Sequence, residues 1–171
     1  MNNDEYFLFF KKMFDIWIND KNKVKLRQID DIYQRFAMSI NHKYKNKNCS
    51  CSGNCFENFV SMDLEGELYS CNRTYHINDF YYGNINDLTL EELKKKMRKK
   101  TIDRQQYLSK SKCIECPLYS ECKGGCPANA FSQHGNVFSC DDWFCEANIR
   151  IKEYIEKRID ELGLIKEYKN S

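Results

Sequence analysis

Residues Cys113 to Cys126 read CIECPLYSECKGGC, four thiols at the spacings Cys113-x2-Cys116-x5-Cys122-x3-Cys126. Pro117 and Pro127, the only two prolines, each directly follow a cysteine, and Gly124-Gly125 lets the backbone turn tightly between the third thiol and the fourth. A chain that punctuates thiols in this way is wrapping an inorganic core. Thiolates are soft donors suited to zinc or iron–sulfur clusters. The alternative, a disulfide knot, belongs to small secreted scaffolds.

Working outward, NCSCSGNC at 48–55 breaks the preceding helical pattern and supplies Cys49, Cys51 and Cys55, a second metal loop. A β-hairpin follows, Phe59–Met62 and Glu67–Ser70 around a turn at Asp63–Gly66, and it carries Cys71 back toward Cys49 and Cys55. This second group has three or four thiols, the fourth coming from Cys51 or from the later loop. Asp141 is a natural N-cap for a C-terminal helix marked by Phe144, Ile151, Ile155, Ile159 and Leu162, with Gly163 at its end. Cys145 then falls in its first turn, where the helix dipole favours thiolate, and is the better ligand; Cys140 lies in the preceding loop.

The remaining segments read as support. Phe7, Phe10, Phe14 and Trp17 predict a first helix capped by Asn3 or Asp4, and Ile29, Ile32, Phe36 and Ile40 a second from Arg27 to Lys43. Their aromatic load requires a cover. Gly83-Asn84 reads as a turn, Thr89 with Glu92 as a capping box for a helix to about Arg98, and 128–138 as irregular. The basic run 94–100 reads as a solvated helix face, since no aromatic residues interleave with it for base stacking. His42, His76 and His134 read as ordinary polar residues, His76 lying five past Cys71.

At 171 residues the chain can bury a core, so one domain or a domain with an appendage is expected. Its net charge of +2 gives no reason to invoke nucleic acid. The apolar N-terminal stretch is preceded by acidic residues and interrupted by Lys11 and Lys12, unlike a secretory signal or a membrane span. Ten cysteines without an export signal point to a reducing cytoplasm and bound metal.

The order Cys49-x5-Cys55, Cys71 after a hairpin, the run Cys113 to Cys126 and then Cys145 resembles the SPASM domain, the C-terminal auxiliary iron–sulfur domain of peptide-modifying radical SAM enzymes, and most closely the anaerobic sulfatase-maturating group. DLEGELYSC, YYGNIND, CPLYSECKGGCP and FCEANIRIKEYI carry the likeness over residues 49 to about 160. Residues 5–45 resemble the last helical segment of the radical SAM barrel. The implied fold is a small α+β one, a hairpin and metal loops around two clusters, flanked by N-terminal helices and a C-terminal helix. The implied divisions are a helical lead-in at 1–47, a twin-cluster domain at 48–163 and a tail at 164–171.

The resemblance implies two [4Fe–4S] clusters: Cys49, Cys55, Cys71 and Cys126 for the first, and Cys113, Cys116, Cys122 and Cys145 for the second, with Cys51 and Cys140 as alternates. Exchange of a fourth cysteine between clusters has precedent in two-cluster ferredoxins. Asn72 stands where the family carries an aspartate base for its substrate, and a neutral amide cannot take up a proton; on position alone Asn72 reads equally as a turn residue closing the hairpin. The C-x3-C-x2-C motif that holds the SAM-cleaving cluster is absent, so S-adenosylmethionine would enter only through a partner core or a missing N-terminal domain. The expected function is substrate binding and electron transfer for a peptide or protein maturase, with neither nucleic acid nor membrane as partner. The rival is a structural zinc module for protein interaction.

Overall fold

The computed structural model describes residues 1–20, 24, 26, 29 and 49–163. The second helix expected at 27–43 and the tail at 164–171 lie, apart from Ile29, outside the described residues. The chain divides into two compact units, one drawing on the described residues of Met1–Asn48 and Trp143–Ser171, the other on Cys49–Asp142.

In the first unit, α1 spans Asn3–Asn19. Its cap is Asn2, one residue before the expected Asn3, because the Asn2 carboxamide accepts from the Glu5 amide at 2.9 Å while the Glu5 carboxylate accepts from the Asn2 amide at 2.9 Å. The periodic Phe10 and Phe14 pack on Ile151, Ile155 and Ile159 of α6, Cys145–Glu161. For Phe10 and Phe14 the cover that the aromatic load requires is therefore the C-terminal helix. Polar contacts fix the pairing: Asn3 accepts from the Ala147 amide at 3.1 Å, and Arg150 reaches Asp4 at 2.6 Å. The N-cap of α6 is Phe144, not Asp141, whose carboxylate accepts instead from Asn129 and Gln133, both at 2.7 Å.

In the second unit, β1 (Ser61–Met62) and β2 (Glu67–Tyr69) form the expected hairpin, with Ser61 opposite Tyr69. Asp63 closes it by accepting from the amides of Glu65 and Glu67, and Gly66 takes the left-handed φ of 82° that the turn requires. Gly83-Asn84 is not a turn: it ends a third strand, β3 (Tyr81–Asn84), paired antiparallel to β2, and the turn comes at 85–87.

Short helices and one long one surround this sheet. α2 is Cys55–Asn58, α3 is Leu90–Leu108, α4 is Tyr119–Cys122 and α5 is Pro127–His134. The Thr89 and Glu92 capping box starts α3, and hydrogen bonds from Thr89 hold the Glu92 carboxyl below its usual range. The helix then runs ten residues past Arg98, because Met97, Thr101, Arg104 and Leu108 continue a buried stripe at spacings of four, three and four. Lys94, Lys95, Lys96, Arg98 and Lys99 are exposed as expected, Lys96 with its ammonium on the Tyr82 carbonyl at 2.7 Å, whereas Lys100 is half-buried and donates to the Asp79 carbonyl. The stretch expected to be irregular contains α5, started by Pro127 in its first turn and ended by Gly135 at φ 65°. Among the described residues, no helix is long and apolar enough to cross a membrane.

Candidate metal centre

All ten cysteines are thiols in this structure. Cys49 opens a 3₁₀ turn, Cys49–Cys51, braced by the Ser52 hydroxyl donating to the Cys49 carbonyl at 3.0 Å. Cys55 opens α2, which is anchored by the next residue: Phe56 packs with Phe80, Ala128 and Val137, and its carbonyl accepts from the buried Tyr82 hydroxyl at 2.9 Å. Cys71 directly follows the hairpin, where the Ser70 amide bonds the Phe80 carbonyl and the Thr74 hydroxyl bonds the Cys71 carbonyl at 2.7 Å. Cys126 is the residue before α5.

Cys49, Cys71 and Cys126, from three well-separated stretches of sequence, lie near enough to Cys55 to act on it electrostatically. Burial pushes the Cys55 thiol up to about 12, and the neighbouring charges of Cys49, Cys126 and Cys71 push it the same way. A bound cation reverses that logic and draws the thiols to thiolates. The group also meets a cation at its exposed side, where Arg73 donates to the Cys126 sulfur at 3.7 Å and to Asn129 Oδ1 at 2.8 Å. Four soft donors with an arginine against them fit an anionic thiolate-ligated centre. Asn72 is exposed, its Oδ1 3.6 Å from the Cys71 sulfur.

The other thiol-bearing stretch is equally built. Cys113 sits in a 3₁₀ turn, Lys112–Glu115, whose carbonyl at Cys113 accepts from the Cys116 amide at 3.1 Å; Cys116 in turn accepts from the Tyr119 amide, and Cys122 ends α4. The Cys49–Cys51 turn and the Lys112–Glu115 turn both pack on α4. Cys51 is 4% exposed. Cys140 is buried against Cys113 and Leu108, inside the same unit. Cys145 begins α6 in the first unit. His134 is engaged by Asp142 at 2.9 Å, and His76 stands edge-on to Tyr69. Among the described residues, no three histidine, cysteine or acidic side chains are gathered as a single metal ion would require.

One residue at this centre carries no motif. Arg104, on the buried stripe of α3, is 4% exposed and donates from Nη2 to the carbonyls of Gly124 at 2.8 Å and Ser139 at 3.1 Å. Burial presses its pKa down, and the charges of Cys126, Cys55, Cys122 and Cys113 oppose that. Its spacing from Met97 and Leu108 was the available sequence signal.

No protein-family model matches the chain. It is similar to the cysteine-type anaerobic sulfatase-maturating enzyme of Clostridium perfringens strain 13, 25% identical over 158 residues, covering 91% of this chain and 40% of that protein. The enzyme of the same description from Clostridium novyi is 29% identical over 168 residues, covering 96% and 42%. The chain thus spans about two-fifths of the length of these relatives. Among solved structures, native anSMEcpe with bound AdoMet matches at a TM-score of 0.69 and 25% identity, covering 95% of this chain and 43% of that one. The structure of anSMEcpe with bound AdoMet and Kp18Cys peptide matches at 0.63 and 24%. The three-stranded sheet and its helices are therefore an arrangement found in part of a sulfatase-maturating enzyme.

Proposed function

We propose that this chain is a SPASM-like auxiliary module of a radical SAM peptide or protein maturase, binding two [4Fe–4S] clusters and passing electrons between the substrate and the SAM-cleaving centre of a partner. The observation that supports the reading is that Cys49, Cys71 and Cys126, from three stretches of sequence, all act electrostatically on Cys55, beside the likeness to part of a sulfatase-maturating enzyme. Those four would hold one cluster. Cys113, Cys116 and Cys122 would hold the other, with Cys145 as the eighth ligand on sequence grounds. The clusters supply one-electron chemistry; the chain positions their thiolates, limits water and sets the charge around them. The partner would be a radical SAM core, in a separate protein or in a preceding segment; that the chain spans about two-fifths of its relatives' length supports this. An apolar stripe on α1, Leu8, Phe9 and Ile16, is 57–60% exposed and supports such a partner, since a helix apolar on opposite faces is normally buried on both. The reading calls for a reducing cytoplasm.

Anaerobic reconstitution with iron and sulfide tests it. The protein should turn brown, absorb broadly near 400 nm and hold about eight iron and eight sulfide per chain, as two four-iron clusters require. A colourless protein carrying about one or two zinc ions and no sulfide would establish the structural zinc module instead.

Asn72 refines the substrate. Its amide cannot serve as a base near neutral pH, so the chain supplied with a SAM-cleaving core should form little formylglycine on a sulfatase peptide, and Asn72→Asp should raise turnover. Equal formylglycine formation by the two proteins would show that residue 72 is not the base.

A further inference from the structure

A buried guanidinium needs an anion, and the hydrogen bonds given for Arg104 reach carbonyls, not carboxylates. The side chain shares the α3 stripe with Met97, Thr101 and Leu108, positions that suit apolar or small groups. Its hydrogen bonds go to two carbonyls, which satisfy donors and leave the charge uncompensated. Its Nε is buried with no hydrogen-bond partner. The charges acting most strongly on it are sulfurs: Cys126 and Cys55 from the first proposed ligand set, Cys122 and Cys113 from the second. Neutral thiols would leave a charged group stranded in a site where an apolar residue would be cheaper. Thiolates around a metal core would not.

Resting on the function proposed above, we propose that Arg104 is the shared counter-charge of the two thiolate sets, a positioning residue that brackets the Gly124 and Ser139 loops and favours the reduced form of both centres. Uptake of one electron adds one negative charge to a set; Arg104 stays protonated throughout and transfers no proton. The fixed cation therefore stabilises the reduced state more than the oxidised one. The bracketed carbonyls lie between Cys122 and Cys126 and directly before Cys140, so the same side chain holds the chain segments that present the thiols.

The test compares wild type, Arg104→Met and Arg104→Lys in the full chain, metal-free and after anaerobic loading with ferrous iron and sulfide, with dithionite as the one-electron donor in a redox titration followed by electron paramagnetic resonance. Loaded Arg104→Met should show more negative midpoint potentials for both centres and a lower melting temperature than loaded wild type. Metal-free Arg104→Met should fall less below metal-free wild type than the loaded pair does, because both forms lose the donors to the Gly124 and Ser139 carbonyls and only the loaded form also loses the counter-charge. Arg104→Lys should recover most of the shift in potential. Should Arg104→Met fail to load while Arg104→Lys loads, the charge itself is what loading requires and the proposal stands. Unchanged potentials, equal destabilisation of the metal-free and loaded forms, or failure of both variants to load would reduce Arg104 to a structural bracket and overturn it. If wild type takes up only zinc, the proposed function falls, and the melting comparison on the zinc-loaded proteins still decides the role of Arg104.

Discussion

Gly124 and Gly125 hold left-handed φ values of 83° and 71° in closed surroundings. A Cβ on Gly124 would stand 2.5 Å from the Leu108 Cδ1, and one on Gly125 would stand 2.7 Å from the Asp141 Cβ. Gly124→Ala therefore combines a left-handed backbone cost of about 1–2 kcal/mol with overpacking of about 1–3 kcal/mol against a side chain only 2% exposed. Chemical denaturation of the loaded protein should record the loss, and iron content should drop as the Cys122 and Cys126 loop is displaced. A loss under about 0.5 kcal/mol with full iron would mean that the loop adapts freely. The need for these glycines was visible in the sequence, since two adjacent glycines between two thiols have few other uses. Arg104 was not visible in the same way. A single arginine after a run of lysines looks like more solvated surface until α3 is known to continue and its stripe is counted.

Helices carried by their periodicity were legible, and those carried by packing were not. Phe10 and Phe14 identified α1, and Ile151, Ile155 and Ile159 identified α6, because their faces bury one another. Phe14 is fully buried, so Phe14→Ala should cost about 3–5 kcal/mol in global stability. A smaller cost would mean that α1 contributes little to its unit. The start of α3 was legible from Thr89 and Glu92, and Thr89→Ala should cost about 1 kcal/mol, measurable as a shift in denaturant midpoint with unchanged slope. The end of α3 was hidden by charge, with eight of the twelve residues from Leu93 to Arg104 charged. The apolar marks in that stretch are sparse, and burial against β3 and the loops overrides them. β3 was missed because its four residues include Gly83, whose φ of 136° suits glycine alone and over which the Leu88 side chain closes, a Cβ there meeting Leu88 at 2.6 Å. α5 was missed because it is held at its ends, by Pro127 and Gly135, and by Ala128 and Ala130, small residues that fit a crowded site without giving a strong period.

At the scale of the molecule, one compact run of thiols serves two proposed centres. Cys126 acts on Cys55 together with Cys49 and Cys71, although its own run begins at Cys113, and on the proposed assignment the loop that ends one ligand set completes the other. Cysteine spacing alone left that open, because a fourth thiol for the hairpin group could come from Cys51 or from the later loop. Cys126→Ala should therefore remove or alter the signal of the centre held by Cys49, Cys55 and Cys71 and leave that of the Cys113, Cys116 and Cys122 centre intact. The same comparison decides the last ligand. Cys140 is buried against Cys113, whereas Cys145 opens α6, and on the proposed assignment Cys140→Ala should retain nearly all its iron while Cys145→Ala loses about half, one four-iron cluster of two. Cys51→Ala should retain its iron as well, its neighbour Cys49 being the ligand. Iron and sulfide analysis with electron paramagnetic resonance on the anaerobically loaded variants reads all four outcomes, and loss of a whole cluster in Cys140→Ala with retention in Cys145→Ala would move the eighth ligand to Cys140.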